Sequence, residues 1–214
     1  MTKRVVITGV GAVTPVGIGA ETTWQALLAG QSGIRRIQAW DPGNLEVQIA
    51  GEVQGFNAKD HMDFKLAKRM DRFAQFGVAA AREAIEQSGL VIDENNSERV
   101  AVVVNTGGGG IPTIEHDVNA MHDRGQKYVS PLLIPLFAPN MASCQISIAY
   151  GIHGPSITSA AACASGIQAF IDAYHMFQRD EADVILTGGT ESGITPVAVA
   201  GLANMHALSK RNDD

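Results

Sequence analysis

The chain has 214 residues, of which 45% are hydrophobic and 18% charged, and its formal net charge is −6 at pH 7. Such a composition is typical of a globular protein with one large domain and excludes a disordered charged tail. The acidic balance argues against nucleic acid as the main partner, and no apolar run of about 18 residues predicts a membrane-spanning helix.

The N-terminal part of the chain predicts a strand followed by a helix. Residues 4–10 are β-branched and end at a glycine, which is typical of a buried strand. Glycine and proline interrupt the apolar stretch that follows, so a secretion signal is not predicted. Residues 21–29 predict a helix that ends at Gly30, and residues 31–57 are rich in turn-forming residues.

The middle of the chain predicts two long helices around a strand. Residues 69–88 predict a strong helix that Gly89 ends, with one apolar face. That face contains Phe73, Phe76, Ala80, Ala84 and Ile85. Residues 99–106 predict a strand, and residues 111–122 a further helix after four glycines.

The remaining segments complete an alternation of strands and helices. Three prolines predict an irregular connection over residues 130–140, before a helix over residues 141–150. The elements expected after it are a strand of small residues over 155–163, a helix over 165–178, a strand over 182–189 and a helix over 196–207. This order predicts an α/β layered fold with a mostly parallel sheet, without a repeat or a linker.

Two glycine-rich segments suggest ligand loops, with different strength. Gly9-x-Gly11-x-x-Thr14 lacks the third glycine of a dinucleotide fingerprint, and Pro15 disfavours a helix there. A tight turn is the preferred interpretation of that segment. The four glycines at 107–110 fit two alternatives equally, a backbone cradle for a phosphate or a close approach by an extended ligand.

Cys163 is the strongest candidate for a catalytic residue. It lies between a strand of small residues and a helix, as in a nucleophile elbow, and a helix N-terminus stabilises an anion. The alternative is a small buried hydrophobic residue, which is the commoner environment of a free cysteine. Cys144, in the middle of a predicted helix, is interpreted as structural. Two cysteines cannot form a disulfide framework, which favours reduced thiols in the cytoplasm.

A partner base for this cysteine is not evident. Six histidines are present, and none of them lies in a recognisable motif. His175 is 12 residues after Cys163, about 18 Å along the predicted helix. The sequence therefore predicts a nucleophile without a visible base.

Lys65, Lys68 and Arg69 form a basic cluster in an acidic chain. Their spacing of three and four residues predicts one face of a helix. A solvated face is the commoner explanation, and docking of an acidic protein or a phosphorylated cofactor is the functional one.

Around Cys163 the sequence resembles the β-ketoacyl-[acyl carrier protein] synthases, the condensing enzymes of fatty acid synthesis, of the type II elongating kind. Six segments carry this resemblance along the whole chain: RVVITGVGAVTPVG at the start, WQALLAGQSGI at 24–34, KRMDRFAQFGVAAAREAIEQSGL at 68–90, YGIHGPSITSAAACASG at 150–166, DVILTGGTES at 183–192 and ALSKRND at 207–213. The resemblance implies a thiolase-like fold with α-β-α-β-α layers. Residues 1–214 would form its N-terminal half, and the C-terminal half is not part of this sequence.

The resemblance also implies a mechanism. Cys163 would accept an acyl chain from acyl carrier protein, and the enolate of decarboxylated malonyl-carrier protein would attack it to give a 3-oxoacyl chain. The family's histidines and lysine lie in the second half, in HGT and GH motifs, alongside a GFGG loop. These motifs do not occur here, so the chain alone is not expected to condense. A homodimer is implied for the whole enzyme, and no metal or cofactor is expected.

Further positions carry over from the family by their place in the sequence. Binding of the carrier protein is implied for Lys65, Lys68, Arg69 and Lys127. Binding of the acyl substrate is implied for Ala162, Gly108, Leu133 and Leu202.

This sequence departs from the family at three of the acyl-binding positions. Gly108 stands where relatives often have a bulky apolar gate, and Leu133 and Leu202 stand where they often have phenylalanine. These departures imply a roomier or differently gated acyl channel. They keep a polyketide-type ketosynthase open as an alternative, and a non-catalytic dimerisation module remains a second one.

Overall fold

The computed structural model describes residues 4–213, and short strands and helices form its N-terminal part. Residues 4–12 belong to no helix or strand. The elements that follow are β1 (Val13–Thr14), β2 (Gly17–Ile18), α1 (Ala20–Leu28), β3 (Arg35–Arg36), β4 (Ile49–Ala50), α2 (Phe64–Ala67) and α3 (Arg72–Ser88). β1 pairs with β2 and β3 with β4, in both cases antiparallel.

The second part of the chain contains the main sheet. Its elements are β5 (Val100–Asn105), α4 (Ile111–Arg124), α5 (Leu133–Phe137), α6 (Met141–Tyr150), β6 (Ser156–Ile157), α7 (Ser165–Gln178), β7 (Val184–Gly189) and α8 (Pro196–Asn204). The strands lie in the order β6-β5-β7 and are all parallel. None of the helices in the described part of the chain is long and apolar enough to cross a lipid bilayer.

Both faces of the sheet are covered by helices. Val100, Val102 and Val104 on β5 pack in one core with α3 and α6, while Ala101 and Val103 pack in a second core with α7. Because successive side chains of a strand point to opposite faces, a strand buried on both sides is a continuous apolar run. The alternation of strands and helices therefore predicted the layered α/β fold correctly.

Arg99, just before β5, ties the start of that strand to the start of β7. Its guanidinium donates to both carboxylate oxygens of Asp183, at 2.7 and 3.0 Å, and to Asp180. The hydrogen bonds to Asp183 raise the pKa of Arg99 further above its ordinary value. The ion pairs are solvent-exposed, so they fix the geometry of this end of the sheet more than they stabilise the fold.

The helix predictions are confirmed within a few residues. α6 and α7 have the predicted bounds, whereas α3 begins three residues later than expected and α8 ends at Asn204 instead of residue 207. Gly89 ends α3 in the left-handed conformation, with a φ of 68°. Glycine adopts this conformation without the steric cost that other residues carry.

Three predictions on the local structure are wrong. Residues 4–10 form no strand. The strand expected over residues 155–163 is reduced to β6, of two residues. Residues 130–140 contain the helix α5, because Pro135 lies in its first turn, where a helix does not need the backbone N–H.

Candidate active site

Cys163 lies in a 3₁₀ turn, Ala162–Ala164, which leads directly into α7. The side chain is exposed, so the predicted alternative of a buried hydrophobic residue is wrong for this cysteine. Cys144 is half-buried on α6, where it accepts a 3.5 Å hydrogen bond from Asn140 Nδ2. Of the two thiols, the one at the start of a helix is therefore open to a substrate.

The backbone at Ala162 has an unusual conformation that shapes this turn. Its φ is +48°, in the left-handed region that residues other than glycine rarely adopt. Ser165 holds the turn in place: its Oγ donates to Ala162 O at 2.7 Å and accepts from Ala161 N at 3.0 Å. Since backbone strain persists only where the surroundings enforce it, Ser165 positions the chain on which Cys163 lies.

Asn105, at the end of β5, connects this turn to the sheet. Its side chain is fully buried. Its Nδ2 donates to Ser165 O at 3.1 Å, and its Oδ1 accepts from Ser159 N at 2.8 Å. One amide thus fixes both the first residue of α7 and the segment that leaves β6.

The glycine loop at residues 107–110 packs against the same turn. Glu191 Oε2 accepts hydrogen bonds from Gly107 N at 2.9 Å, Gly108 N at 3.1 Å and Thr106 Oγ1 at 3.1 Å. The N–H groups that a phosphate would need are therefore already bound to a carboxylate, which excludes the phosphate cradle. A Cβ on Gly107 would lie 3.2 Å from Ala162 O, so this glycine serves the close approach of two backbone segments.

The predicted acyl-binding residues lie on separate elements of the structure. Ala162 is exposed beside Cys163, Leu133 is half-buried at the start of α5, and Leu202 is 43% exposed on α8. A Cβ on Gly108 would overlap the side chain of Ile111, the first residue of α4. Ile111 therefore fills the space beside Gly108, a feature that the sequence did not indicate.

The basic cluster is exposed but does not form one helix face. α2 ends at Ala67, so Lys65 lies on the helix, Lys68 caps it and Arg69 follows it. The helical spacing was therefore misleading. Lys68 Nζ lies 4.3 Å from the centre of the Phe64 ring. Lys127 is also exposed, in a separate 3₁₀ turn, with its Nζ 5.1 Å from the Tyr128 ring centre.

His175 does not supply a base at the turn. His175 lies in the last turn of α7, at the opposite end of that helix from Cys163. His116 and His122 each contact the aspartate that follows them on α4, and His61 stacks on Phe56. Within residues 4–213, no three side chains of His, Cys, Asp and Glu are grouped closely enough to hold a metal ion.

Sequence reasoning found the cysteine but missed the residues that position it. Ser165, Asn105 and Glu191 were not singled out, although one signal was available. A polar residue such as Asn105 at the end of an apolar strand is expected to be buried and must find hydrogen-bond partners.

Cys163 is thus an exposed thiol on the turn that leads into α7, a position between strand and helix that resembles a nucleophile elbow. Comparison with known proteins identifies the family. The N-terminal domain of the β-ketoacyl synthases matches residues 2–214. The chain belongs to this family.

Individual relatives agree with that assignment. The 3-oxoacyl-[acyl-carrier-protein] synthase 2 of Staphylococcus aureus (strain COL) is 43% identical over 211 residues, which cover 99% of this chain and 51% of the relative. The protein of the same name from Synechocystis sp. (strain ATCC 27184 / PCC 6803 / Kazusa) is 42% identical over 212 residues, again 99% and 51%.

Solved structures confirm the thiolase-like fold. A β-ketoacyl synthase from Burkholderia phymatum STM815 matches with a TM-score of 0.87 and 30% identity, over 99% of this chain and 52% of that one. The chain therefore spans about half the length of the relatives that it matches.

Proposed function

We propose that this chain is the nucleophile-bearing half of a condensing acyltransferase. Cys163 accepts an acyl chain from acyl carrier protein, for decarboxylative condensation with malonyl-carrier protein to a 3-oxoacyl-carrier protein. The observation that carries the proposal is the exposed Cys163 on a turn held by Ser165 and packed against the glycine loop. The name of the relatives that are 42–43% identical supports this reaction.

The acyl transfer follows from the chemistry of a thiol at a helix start. The Cys163 thiolate attacks the carbonyl carbon of the thioester, and the new sulfur–carbon bond forms as the bond to the carrier's sulfur breaks. The carrier leaves as a thiol after taking up the proton that Cys163 lost. Backbone N–H groups at the start of α7 stabilise the negative charge on the thioester oxygen during the attack.

The carrier protein and the acyl chain would occupy different surfaces. We assign carrier binding to the exposed cations Lys65, Lys68, Arg69 and Lys127, because an acidic partner is attracted to a basic surface on an otherwise acidic chain. We assign acyl binding to Ala162, Gly108, Leu133 and Leu202.

The reduced thiols support a cytoplasmic enzyme, and residues 1–214 are proposed as its N-terminal domain in a homodimer.

Acylation of the thiol tests the proposal directly. The 214-residue chain and a chimera in which the second half of the S. aureus relative follows residue 214 are incubated with octanoyl-acyl carrier protein. Intact mass should show one octanoyl group in the parent proteins and in Cys144→Ala, and none in Cys163→Ala.

Comparing the 214-residue chain with the chimera shows whether acylation of Cys163 requires the second half. Acylation of the chimera alone would show that the thiol needs the second half, which leaves the role of Cys163 intact. Acylation that persists in Cys163→Ala would contradict the proposal, as would a folded chimera that takes up no acyl group.

A further inference from the structure

The backbone pairing between β5 and β6 stops early, and side-chain hydroxyls take its place. On the side of β5 that faces β6, Val102 N donates to Pro155 O at 2.9 Å. Val104 is the next residue that faces this side, and its N–H donates to Ser143 Oγ of α6 at 3.0 Å instead of to a strand. Its carbonyl oxygen accepts from Thr158 Oγ1, also at 3.0 Å. Two side chains thus bind the backbone groups that a longer β6 would bind.

Ser143 holds the two backbones apart at this point. Its Oγ lies 3.0 Å from Val104 N and 3.0 Å from Ile157 O, so one oxygen atom bridges a gap that a direct hydrogen bond of about 2.9 Å does not span. A serine hydroxyl has one proton to donate. When Thr158 donates to Val104 O, the proton of Ser143 is left for Ile157 O, and each of these groups has a partner.

Asn105 continues this arrangement towards the start of α7. Its Oδ1 accepts from Ser159 N and its Nδ2 donates to Ser165 O, so the amide connects the segment that leaves β6 with the first residue of α7. Ser159 Oγ donates to Asp172 Oδ2 of α7 at 2.8 Å, which holds the same segment against that helix. The chain after β6 is therefore bound by side chains of β5 on one side and of α7 on the other.

Ser143, Thr158 and Asn105 form what we call the polar seam. Ser143 is 1% exposed and Asn105 is fully buried. Buried polar groups are tolerated only when they are hydrogen-bonded, so each of these side chains depends on its partners. A longer β6 would bind the same backbone groups without polar side chains, but it would run on beside β5 and would not bend towards α7. The polar seam therefore gives the chain a direction that a regular sheet would not give.

We infer that the polar seam positions Cys163 for acyl transfer, because it turns the chain away from β5 after Ile157 and so brings Cys163 to the start of α7. This inference rests on the proposed acceptance of an acyl chain by Cys163. Ser143 and Asn105 are buried, so they act through the backbone and not by contact with the substrate. Loss of a seam residue should move the thiol, and a displacement of about 1 Å can slow a reaction about 100-fold.

Acyl transfer in the chimera described above tests the inference. Asn105→Ala is compared with Val100→Ala, a buried control at the opposite end of β5. Asn105→Ala should lower the maximal rate of Cys163 acylation at least about tenfold. The concentration of octanoyl-acyl carrier protein that gives half the maximal rate should not change, because the cations assigned to the carrier lie outside the seam. Val100→Ala should leave both values close to those of the parent.

Thr158 provides a second pair of variants, which decides the matter if Asn105→Ala does not fold. Thr158→Val removes the hydroxyl and keeps the shape of the side chain, whereas Thr158→Ser keeps the hydroxyl. Thr158→Val should slow acylation at least about threefold, and Thr158→Ser should retain the parent's rate. Equal rates in Thr158→Val and Thr158→Ser would overturn the inference, as would the parent's rate in a folded Asn105→Ala.

Alkylation separates this inference from the proposed function. Iodoacetamide reacts with a thiolate, which a helix N-terminus stabilises, and it needs no acyl carrier protein. In the peptide that contains Cys163, alkylation should be slower in Asn105→Ala than in Val100→Ala, and slower in Thr158→Val than in Thr158→Ser.

The two measurements fail in different ways. A folded chimera that takes up no octanoyl group would contradict the proposed function, and the alkylation rates would still decide the inference. Equal alkylation of Cys163 within each pair of variants would show that the polar seam does not position the thiol.

Discussion

The position of Cys163 depends on a side chain two residues further along the chain. Ser165 is buried, and its hydroxyl bridges Ala161 N and Ala162 O across the turn. Ala162 bears the left-handed φ of this turn, and no glycine is present there to adopt it without strain. The thiol is thus placed by a hydroxyl that need not contact the substrate.

Replacing this hydroxyl should misplace the thiol. We expect Ser165→Ala to lower the free energy of unfolding by about 1–3 kcal/mol, because two hydrogen bonds are lost. Acyl transfer to Cys163 in the chimera should slow by about tenfold, which corresponds to about 1.4 kcal/mol. Urea unfolding and the rate of mass increase measure the two effects.

A second serine provides the control for this prediction. Ser147 Oγ donates to Ser143 O within α6, so Ser147→Ala removes a hydrogen bond away from the turn. It should leave acyl transfer unchanged. An acyl-transfer rate in Ser165→Ala equal to that in Ser147→Ala would show that the hydroxyl does not position Cys163.

At the scale of single residues, the sequence revealed the candidate nucleophile but little of its surroundings. Cys163 could be found because its neighbours in sequence, small residues before it and a helix after it, define the turn. Glu191 reaches the glycine loop from 83 or 84 residues away. Such contacts depend on the strand order, which local patterns do not contain.

Among the elements, helices were predicted better than strands for a physical reason. A helix is closed by hydrogen bonds four residues apart, so its pattern and its stop signals are local. A strand needs a partner that the pattern does not specify. Residues 4–10 have the composition of a strand, but they pair with no strand in the described part of the chain.

The helix α5 shows how an element can be missed through its prolines. Pro131 precedes the helix, Pro135 lies in its first turn and Pro139 follows its C-cap residue, Ala138. None of these positions requires a helical N–H bond. Pro131 and Pro139 therefore bracket a short helix that contains Pro135, although the three prolines were expected to exclude a helix.

The glycine loop packs against both α5 and the turn that carries Cys163, so it should tolerate little change. Gly109 has a φ of +64°, and a Cβ there would lie 2.5 Å from Phe137 O at the end of α5. We expect Gly109→Ala to destabilise the protein by about 2–4 kcal/mol, because a contact that cannot be relieved adds to the backbone strain. Thermal unfolding of the variant measures this loss.

Gly43 is the matched control, because it shares the backbone conformation without the contact. Its φ is +50°, and no atom lies within 4 Å of a Cβ placed there. Gly43→Ala should cost only the strain, about 1–2 kcal/mol. Equal losses in the two variants would show that packing against α5 does not restrict the loop.

At the scale of the whole molecule, the surface is larger than that of a compact protein of this mass. The solvent-accessible area is 12358 Å², whereas a compact monomer of 22.6 kDa exposes about 9,500 Å². Large apolar side chains contribute to the excess, for example Ile148 and Ile167, which are 65% and 68% exposed. Such surface marks contacts with further protein.

The 214-residue chain alone should therefore associate. Light scattering after size exclusion should show a mean mass that rises with concentration, and the chain should bind more of a hydrophobic dye than the chimera does, because the chimera covers part of this surface. A monodisperse monomer across the concentration range, with no more dye bound than by the chimera, would contradict this expectation.

The parallel sheet also determines how this protein reaches its native state. Val100 on β5 lies beside Val184 on β7, and Val102 beside Ser156 on β6, so no strand of this sheet can pair before a long stretch of chain has been closed into a loop. Folding should accordingly be slow, and the yield of refolding should fall as the protein concentration rises, because unpaired strands persist in solution meanwhile. On the ribosome, β5 is synthesised about eighty residues before β7, so the nascent chain exposes an incomplete sheet while those residues are added.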